Sequence, residues 1–141
     1  RELEKFAVRM GGGVNHRMSL SDAALIKDNH IAAAGSITAA FNSVRSKYPQ
    51  ASIEVEVDTI EQLKEVLNAG ADLILLDNMS LEQTRAAVEI AGGRTRLESS
   101  GGLTIENAKA YASTGIDFLA VGALTHSAPV MDIGLDFREE R

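Results

Sequence analysis

The run "ALI" at residues 24–26 is followed directly by Lys27, Asp28, Asn29 and His30, four side chains that seek water or a partner. A strand ending at a surface loop could finish this way without consequence, but a strand ending at a ligand site would present the Lys27 ammonium to an anion. Carboxylates recur at comparable places, with Glu56 near the end of "SIEVEV" and Asp77 at the end of "DLILLD". In "IEVEVD" the residues Ile53, Val55 and Val57 share one face of a strand, so Glu54 and Glu56 project from the other. A helix layer would reject those carboxylates, whereas the rim of a barrel interior tolerates them if Lys27 or a divalent cation compensates. Each taken alone, Glu56 and Asp77 would read as solvated strand ends.

Two Gly-rich stretches come last, "SSGGLT" from Ser99 and "VGALTHS" from Val121. Small residues let backbone N–H groups approach an anion, and Thr104 then opens a helix whose N-terminus favours negative charge. Ser100, Gly101, Gly102 and Gly122 are therefore candidate phosphate contacts, a tight turn being the plainer role for Gly101 and Gly102. His16 in "GGGVNHR", His30 in "IKDNH" and His126 in "ALTHS" all fall in expected loops, without the HExxH spacing of a zinc site. Capping or hydrogen-bonding support is the reading for them. Arg17 offers a planar fork suited to a carboxylate or phosphate, although a lone loop arginine is commonly only solvated.

The elements that must position these groups follow from spacing. "RELEKFAVRM" carries Leu3, Phe6, Ala7 and Met10 on one stripe, predicting a helix that Gly11 to Gly13 end. A second helix is expected over "SITAAFNSVRSKYP", with Ser36 as N-cap and Pro49 as stop. "TIEQLKEVLNAG" and "SLEQTRAAVEIAGG" each open with capping-box spacing and close on glycine, and "TIENAKAYASTG" repeats the device from Thr104 to Gly115. Between them lie five expected strands: "ALI", "SIEVEV", "DLILLD", "TRLES" and "DFLAVG". "NAGADLILLD" and "STGIDFLAVG" are cousins, so the strand–helix unit repeats. Runs apolar on both faces and alternating with helices argue a parallel sheet covered on both sides, either doubly wound or part of a (β/α) barrel. In a barrel the strand ends converge on one rim, where such folds place their ligands.

At 141 residues with 45% apolar content the chain is of single-domain size. It contains no cysteine, which excludes disulfides and thiolate metal sites. No apolar run approaches the roughly 18 residues of a membrane span, and no signal peptide is evident, so no membrane partner and a cytoplasmic location are expected. A net charge of −6 argues against a nucleic-acid partner.

The stretches "EKFAVRMGGGVNHRMSLSDAALIKDNHI", "EVEVDT", "LILLDNM", "LESSGGLT" and "VGALTHSAPVMDIGLDF" together resemble quinolinate phosphoribosyltransferase, the carboxylating nicotinate-nucleotide pyrophosphorylase. The resemblance runs through essentially the whole chain in order. It implies a partial (β/α) barrel of the type II phosphoribosyltransferase kind, with residues 1–141 forming a single incomplete domain and the family's N-terminal domain absent. It also implies transfer from phosphoribosyl pyrophosphate to quinolinate with decarboxylation, giving nicotinate mononucleotide, pyrophosphate and carbon dioxide, with Mg2+ as cofactor. By the same resemblance His16, Arg17 and Lys27 meet the quinolinate carboxylates. Glu56 and Asp77 form the acidic pair that holds Mg2+. Ser100, Gly101 and Gly102, then Val121, Gly122, Ala123 and His126, line the phosphate side. The resemblance further implies a homodimer or higher homo-oligomer of the full-length protein, the neighbour's N-terminal domain completing each pocket. Family members are about twice this length, and their Thr-Arg-Lys-Thr stretch falls before Arg1. Five strands are too few to close the family's barrel, so the chain reads as a fragment that is inactive alone. Two further readings are a molybdenum-transport-associated paralogue with another acceptor and a non-catalytic barrel fragment serving assembly.

Overall fold

In the computed structural model, which describes residues 2–16 and 23–137, five strands form one wholly parallel sheet in the order β1-β2-β3-β4-β5. The strands are β1 Ala24–Ile26, β2 Ile53–Val57, β3 Leu73–Asp77, β4 Arg96–Ser100 and β5 Phe118–Leu119. The helices are α1 Glu2–Met10, α2 Asp28–Ala34, α3 Ile37–Lys47, α4 Ile60–Ala69, α5 Leu81–Ala91, α6 Ile105–Ala112 and α7 Ala123–His126. Each strand pairs with its neighbour in sequence through a helical crossover, the arrangement of an open segment of a (β/α) barrel. Among the described residues β1 and β5 are edges, so the segment does not close.

The helix starts follow the expected chemistry. The Ser36 hydroxyl accepts from Ala39 N–H, Thr59 and Gln62 cap α4 reciprocally, and Ser80 and Gln83 do the same for α5. Gly70 and Gly92 close α4 and α5 with left-handed backbones.

The sheet has two chemically different faces. Ile53, Val55, Val57, Ile74, Leu76 and Leu97 point into the helix layer and form the core with Phe41, Leu63 and Val66. The opposite face presents Glu54, Glu56, Asp77 and Glu98, with Lys27 just beyond β1. The alternation in "IEVEVD" thus has the orientation expected of it.

Two expectations are corrected. Asp28, Asn29 and His30 do not shape a loop after Lys27 but open α2. Lys27 occupies the N-cap position, which sequence reasoning assigns to Ser, Thr, Asp or Asn, and its N–H donates to His30 Nδ1 at 3.0 Å. The Ala32–Ala34 run ending in left-handed Gly35 then propagates a short helix. "VGALTHS" is likewise not all loop, because Ala123–His126 form α7, and strand pairing in "DFLAVG" stops at Leu119. The apolar stripe of α1 lies outside the core: Leu3, Phe6 and Met10 are mostly exposed, and α1 packs against α7.

Candidate active site at the strand ends

The C-terminal end of β1 and β2 carries a direct ion pair, with Lys27 Nζ 2.6 Å from Glu56 Oε2. Register explains it. Ile26 pairs with Val55, so one residue on, Lys27 and Glu56 emerge side by side on the face away from the helices. The Lys27 side chain is nearly half exposed, at 46%. A pair this wet contributes at most about 1 kcal/mol to stability. Its Lys27 ammonium remains accessible to an anion from outside.

Asp77 ends β3 on the same face, two residues beyond Leu75, the register partner of Glu56. Its Oδ2 accepts from Asn78 Nδ2 at 2.8 Å. Asn78 has a left-handed backbone, with φ of 52°, and its N–H donates to Ser100 O at 3.0 Å. Gly101, with φ of +90°, lies so close under Asn78 that a Cβ would overlap its side chain. The turn role for Gly101 is therefore real: it lets the loops after β3 and β4 nest together at this rim. The rest of that loop is tied inward, Thr104 N–H donating to Asn107 Oδ1 at 2.8 Å and Asn107 Nδ2 to Gly102 O at 3.0 Å. Its own Thr104 hydroxyl holds the exposed Glu106 carboxyl below the usual carboxylate range. That places a negative charge at the start of α6, beside the expected phosphate contacts.

Deeper on the same face lies a second group. The loop after α1 brings His16 over the sheet, held by Lys5 Nζ donating to His16 O at 2.6 Å and Asn15 Nδ2 donating to Lys5 O at 3.0 Å. His16 Nε2 is 3.2 Å from Glu54 Oε2 and 3.7 Å from Glu98 Oε1. Both carboxylates are buried. Burial pushes the Glu98 carboxyl above its ordinary range, the Glu54 charge pushes the same way, and His16 opposes them. These residues line a groove of about 790 Å³ that also reaches Val121 and Gly122.

The expected site residues therefore fall in two groups. Lys27, Glu56 and Asp77 share the rim with Ser100, Gly101 and Gly102, while His16, Val121 and Gly122 meet in the groove. Ala123 begins α7, and His126 at its end has Nδ1 2.6 Å from Ser127 Oγ and packs against Gly122. Arg17 lies outside the described residues. Sequence reasoning missed Glu98 altogether. The alternation argument that found Glu54 would have found it, since Leu97 and Ser99 face the helices and Glu98 faces the other way. His30 fulfils the capping role expected of it.

A relative described as nicotinate-nucleotide pyrophosphorylase [carboxylating] from Mycobacterium leprae is 57% identical over 96% of this chain and 49% of its own length. The Bacillus subtilis protein described as a probable nicotinate-nucleotide pyrophosphorylase [carboxylating] is 45% identical, over 96% of this chain and 47% of its own length. A crystal structure of nicotinate-nucleotide pyrophosphorylase from Ehrlichia chaffeensis superposes with a TM-score of 0.91 at 45% identity, covering 95% of this chain and 49% of that one. The chain thus spans about half the length of the curated relatives it matches. The family model for the C-terminal domain of quinolinate phosphoribosyl transferase matches residues 1–136, and the chain belongs to that family.

Proposed function

We propose that the protein carrying this chain transfers the phosphoribosyl group of phosphoribosyl pyrophosphate to quinolinate and decarboxylates the product. Nicotinate mononucleotide, pyrophosphate and carbon dioxide result, a step of NAD synthesis. The observation that carries the reading is the Lys27–Glu56 pair, which sets a cation beside the acidic rim of a chain whose relatives bear this activity's name.

Quinolinate is a dianion. Lys27, half exposed and held by Glu56, supplies an ammonium that a substrate carboxylate can reach, and His16 supplies an imidazole deeper in the groove. Arg17 is the further cation assigned to the substrate carboxylates. The pyridine nitrogen forms the bond to ribose C1 as pyrophosphate leaves with its bonding pair. Positive charge grows on the anomeric carbon at that moment, and the carboxylates of Glu56 and Asp77 favour it. When the C–C bond to the 2-carboxylate breaks, the electron pair stays on ring C2, where the positive charge of the adjacent, now quaternary nitrogen stabilises it; carbon dioxide departs and that pair takes up a proton.

Glu56 and Asp77 fit Mg2+ by donor chemistry: they are hard oxygen ligands at the ends of adjacent strands, and Mg2+ commonly takes one or two carboxylates plus substrate phosphates. Bound there, the ion would neutralise the leaving pyrophosphate. On the phosphate side we assign Ser100, Gly101 and Gly102, with Val121, Gly122, Ala123 and His126. A homodimer and a cytoplasmic location complete the proposal. Among the described residues no helix is long and apolar enough to cross a membrane.

The test is release of labelled carbon dioxide from quinolinate labelled in its 2-carboxyl, with phosphoribosyl pyrophosphate and Mg2+ present. This chain is compared with the polypeptide extended upstream to the length of its relatives. Release from the extended protein that Lys27→Ala abolishes supports the reading. No release from the extended protein overturns it.

A further inference from the structure

Glu54 and Glu98 place two carboxylates, on strands separated by β3, within reach of one imidazole. Glu54 is 4% exposed and Glu98 7% exposed, and the Oε1 atom of each is buried without a hydrogen-bond partner among the described residues. Two like charges confined together and each carrying an unused lone-pair oxygen call for a cation that accepts both. The ligand atoms of His16, Glu54 and Glu98 all lie within 4.8 Å of one another. Donors about 2.1 Å from a tetrahedral ion stand about 3.4 Å apart. The separations from His16 Nε2, 3.2 Å to Glu54 Oε2 and 3.7 Å to Glu98 Oε1, lie on either side of that value.

From this geometry we propose that His16, Glu54 and Glu98 form a second metal site, selective for a tetrahedral first-row divalent cation such as Zn2+ and distinct from the Glu56 and Asp77 rim. One imidazole with two carboxylates suits Zn2+, whereas Mg2+ prefers six oxygens and keeps its water. Three protein ligands leave the fourth position open toward the groove. The spacing gives no hint of this, because the ligands come from a loop and two strands spread from residue 16 to residue 98. An occupied site would hold the His16 imidazole away from substrate, so Zn2+ would inhibit the reaction proposed above. That consequence rests on the transferase reading; the site itself does not.

Calorimetric titration of the purified chain with Zn2+ alone, paired with the visible d–d absorption of Co2+, tests it. One ion per chain is expected, retained against about a hundredfold excess of Mg2+. His16→Ala and Glu98→Gln should each weaken binding at least tenfold, while His126→Ala and Glu56→Gln should leave it unchanged. If Glu98→Gln fails to fold, His16→Ala carries the test, since His16 sits on a partly exposed loop. Absence of Zn2+ uptake, uptake indifferent to His16→Ala, or loss equally caused by Glu56→Gln would each overturn the site. The last result would place the ion at the rim and leave the transferase reading intact.

Discussion

At the N-terminal end of the sheet Asp72 accepts from Ile53 N–H at 3.0 Å and from Arg45 at 2.8 Å, and Asp117 accepts from Leu97 N–H at 2.8 Å. At the C-terminal end, among the described residues, Glu56 meets the Lys27 ammonium and Asp77 the Asn78 amide. Both ends are rich in carboxylates, yet those at the first are bound to the backbone of the preceding strand, and those at the second touch side chains that can turn away. The N-terminal device is the repeated unit seen in "NAGAD" and "STGID", where an aspartate just before a strand pins the start of the strand before it. Parallel α/β folds separate these duties generally, stability at one end and ligands at the other. Here the separation is visible in which partner each acidic oxygen has.

Mutations should therefore divide by end. The largest effect is expected from Lys27→Ala or Glu56→Gln in the full-length protein, with kcat/KM falling about 100-fold or more and Tm changing little, since the Lys27 side of the pair is nearly half exposed. Steady-state kinetics beside a thermal melt separates the two readouts, and a large drop in Tm would break the comparison. Gly101→Ala crosses it: at the ligand end it should nevertheless cost roughly 1–3 kcal/mol of stability, because a side chain must take φ of +90° and displace Asn78. Denaturant unfolding checks this.

Asp72→Ala should cost a comparable or smaller amount, about 1–3 kcal/mol, by orphaning the buried Ile53 N–H, with turnover preserved. Its pH dependence has a definite sign. Burial alone would raise the Asp72 carboxyl, but the Ile53 N–H, then Arg45 and finally Arg96, hold it below the usual carboxylate range. A depressed carboxyl contributes stability above its unfolded pKa and loses it as pH falls through the folded one. The gap in Tm between native protein and Asp72→Ala should thus narrow in acid; a gap that widens there would contradict the assignment. The smallest effect is expected from Ser36→Ala, which removes the N-cap of α3 for about 1 kcal/mol in an unfolding measurement.

The fold was legible where local chemistry and packing agree. Ser36, Thr59, Ser80 and Thr104 announce helix starts, and apolar runs between them give the five strands. The α2 helix was not, because Lys27 is a poor N-cap by type and only His30, reaching back to its N–H, completes the start. The exposure of the α1 stripe was also hidden, since periodicity reports which residues share a face and not what that face meets. Of the candidate site, the Lys27 and Glu56 juxtaposition could be anticipated from strand ends alone, given a parallel register. The His16, Glu54 and Glu98 cluster could not, because three elements distant in sequence converge only once the sheet is ordered.

We assign Lys27 at the end of β1 as the substrate cation of the proposed decarboxylating phosphoribosyl transfer. Carbon dioxide release from 2-carboxyl-labelled quinolinate by the full-length protein, native against Lys27→Ala, tests it most directly. Release is expected to require phosphoribosyl pyrophosphate and to fall about 100-fold or more in the variant while its melting profile stays native. Undiminished release from a folded Lys27→Ala protein would contradict it.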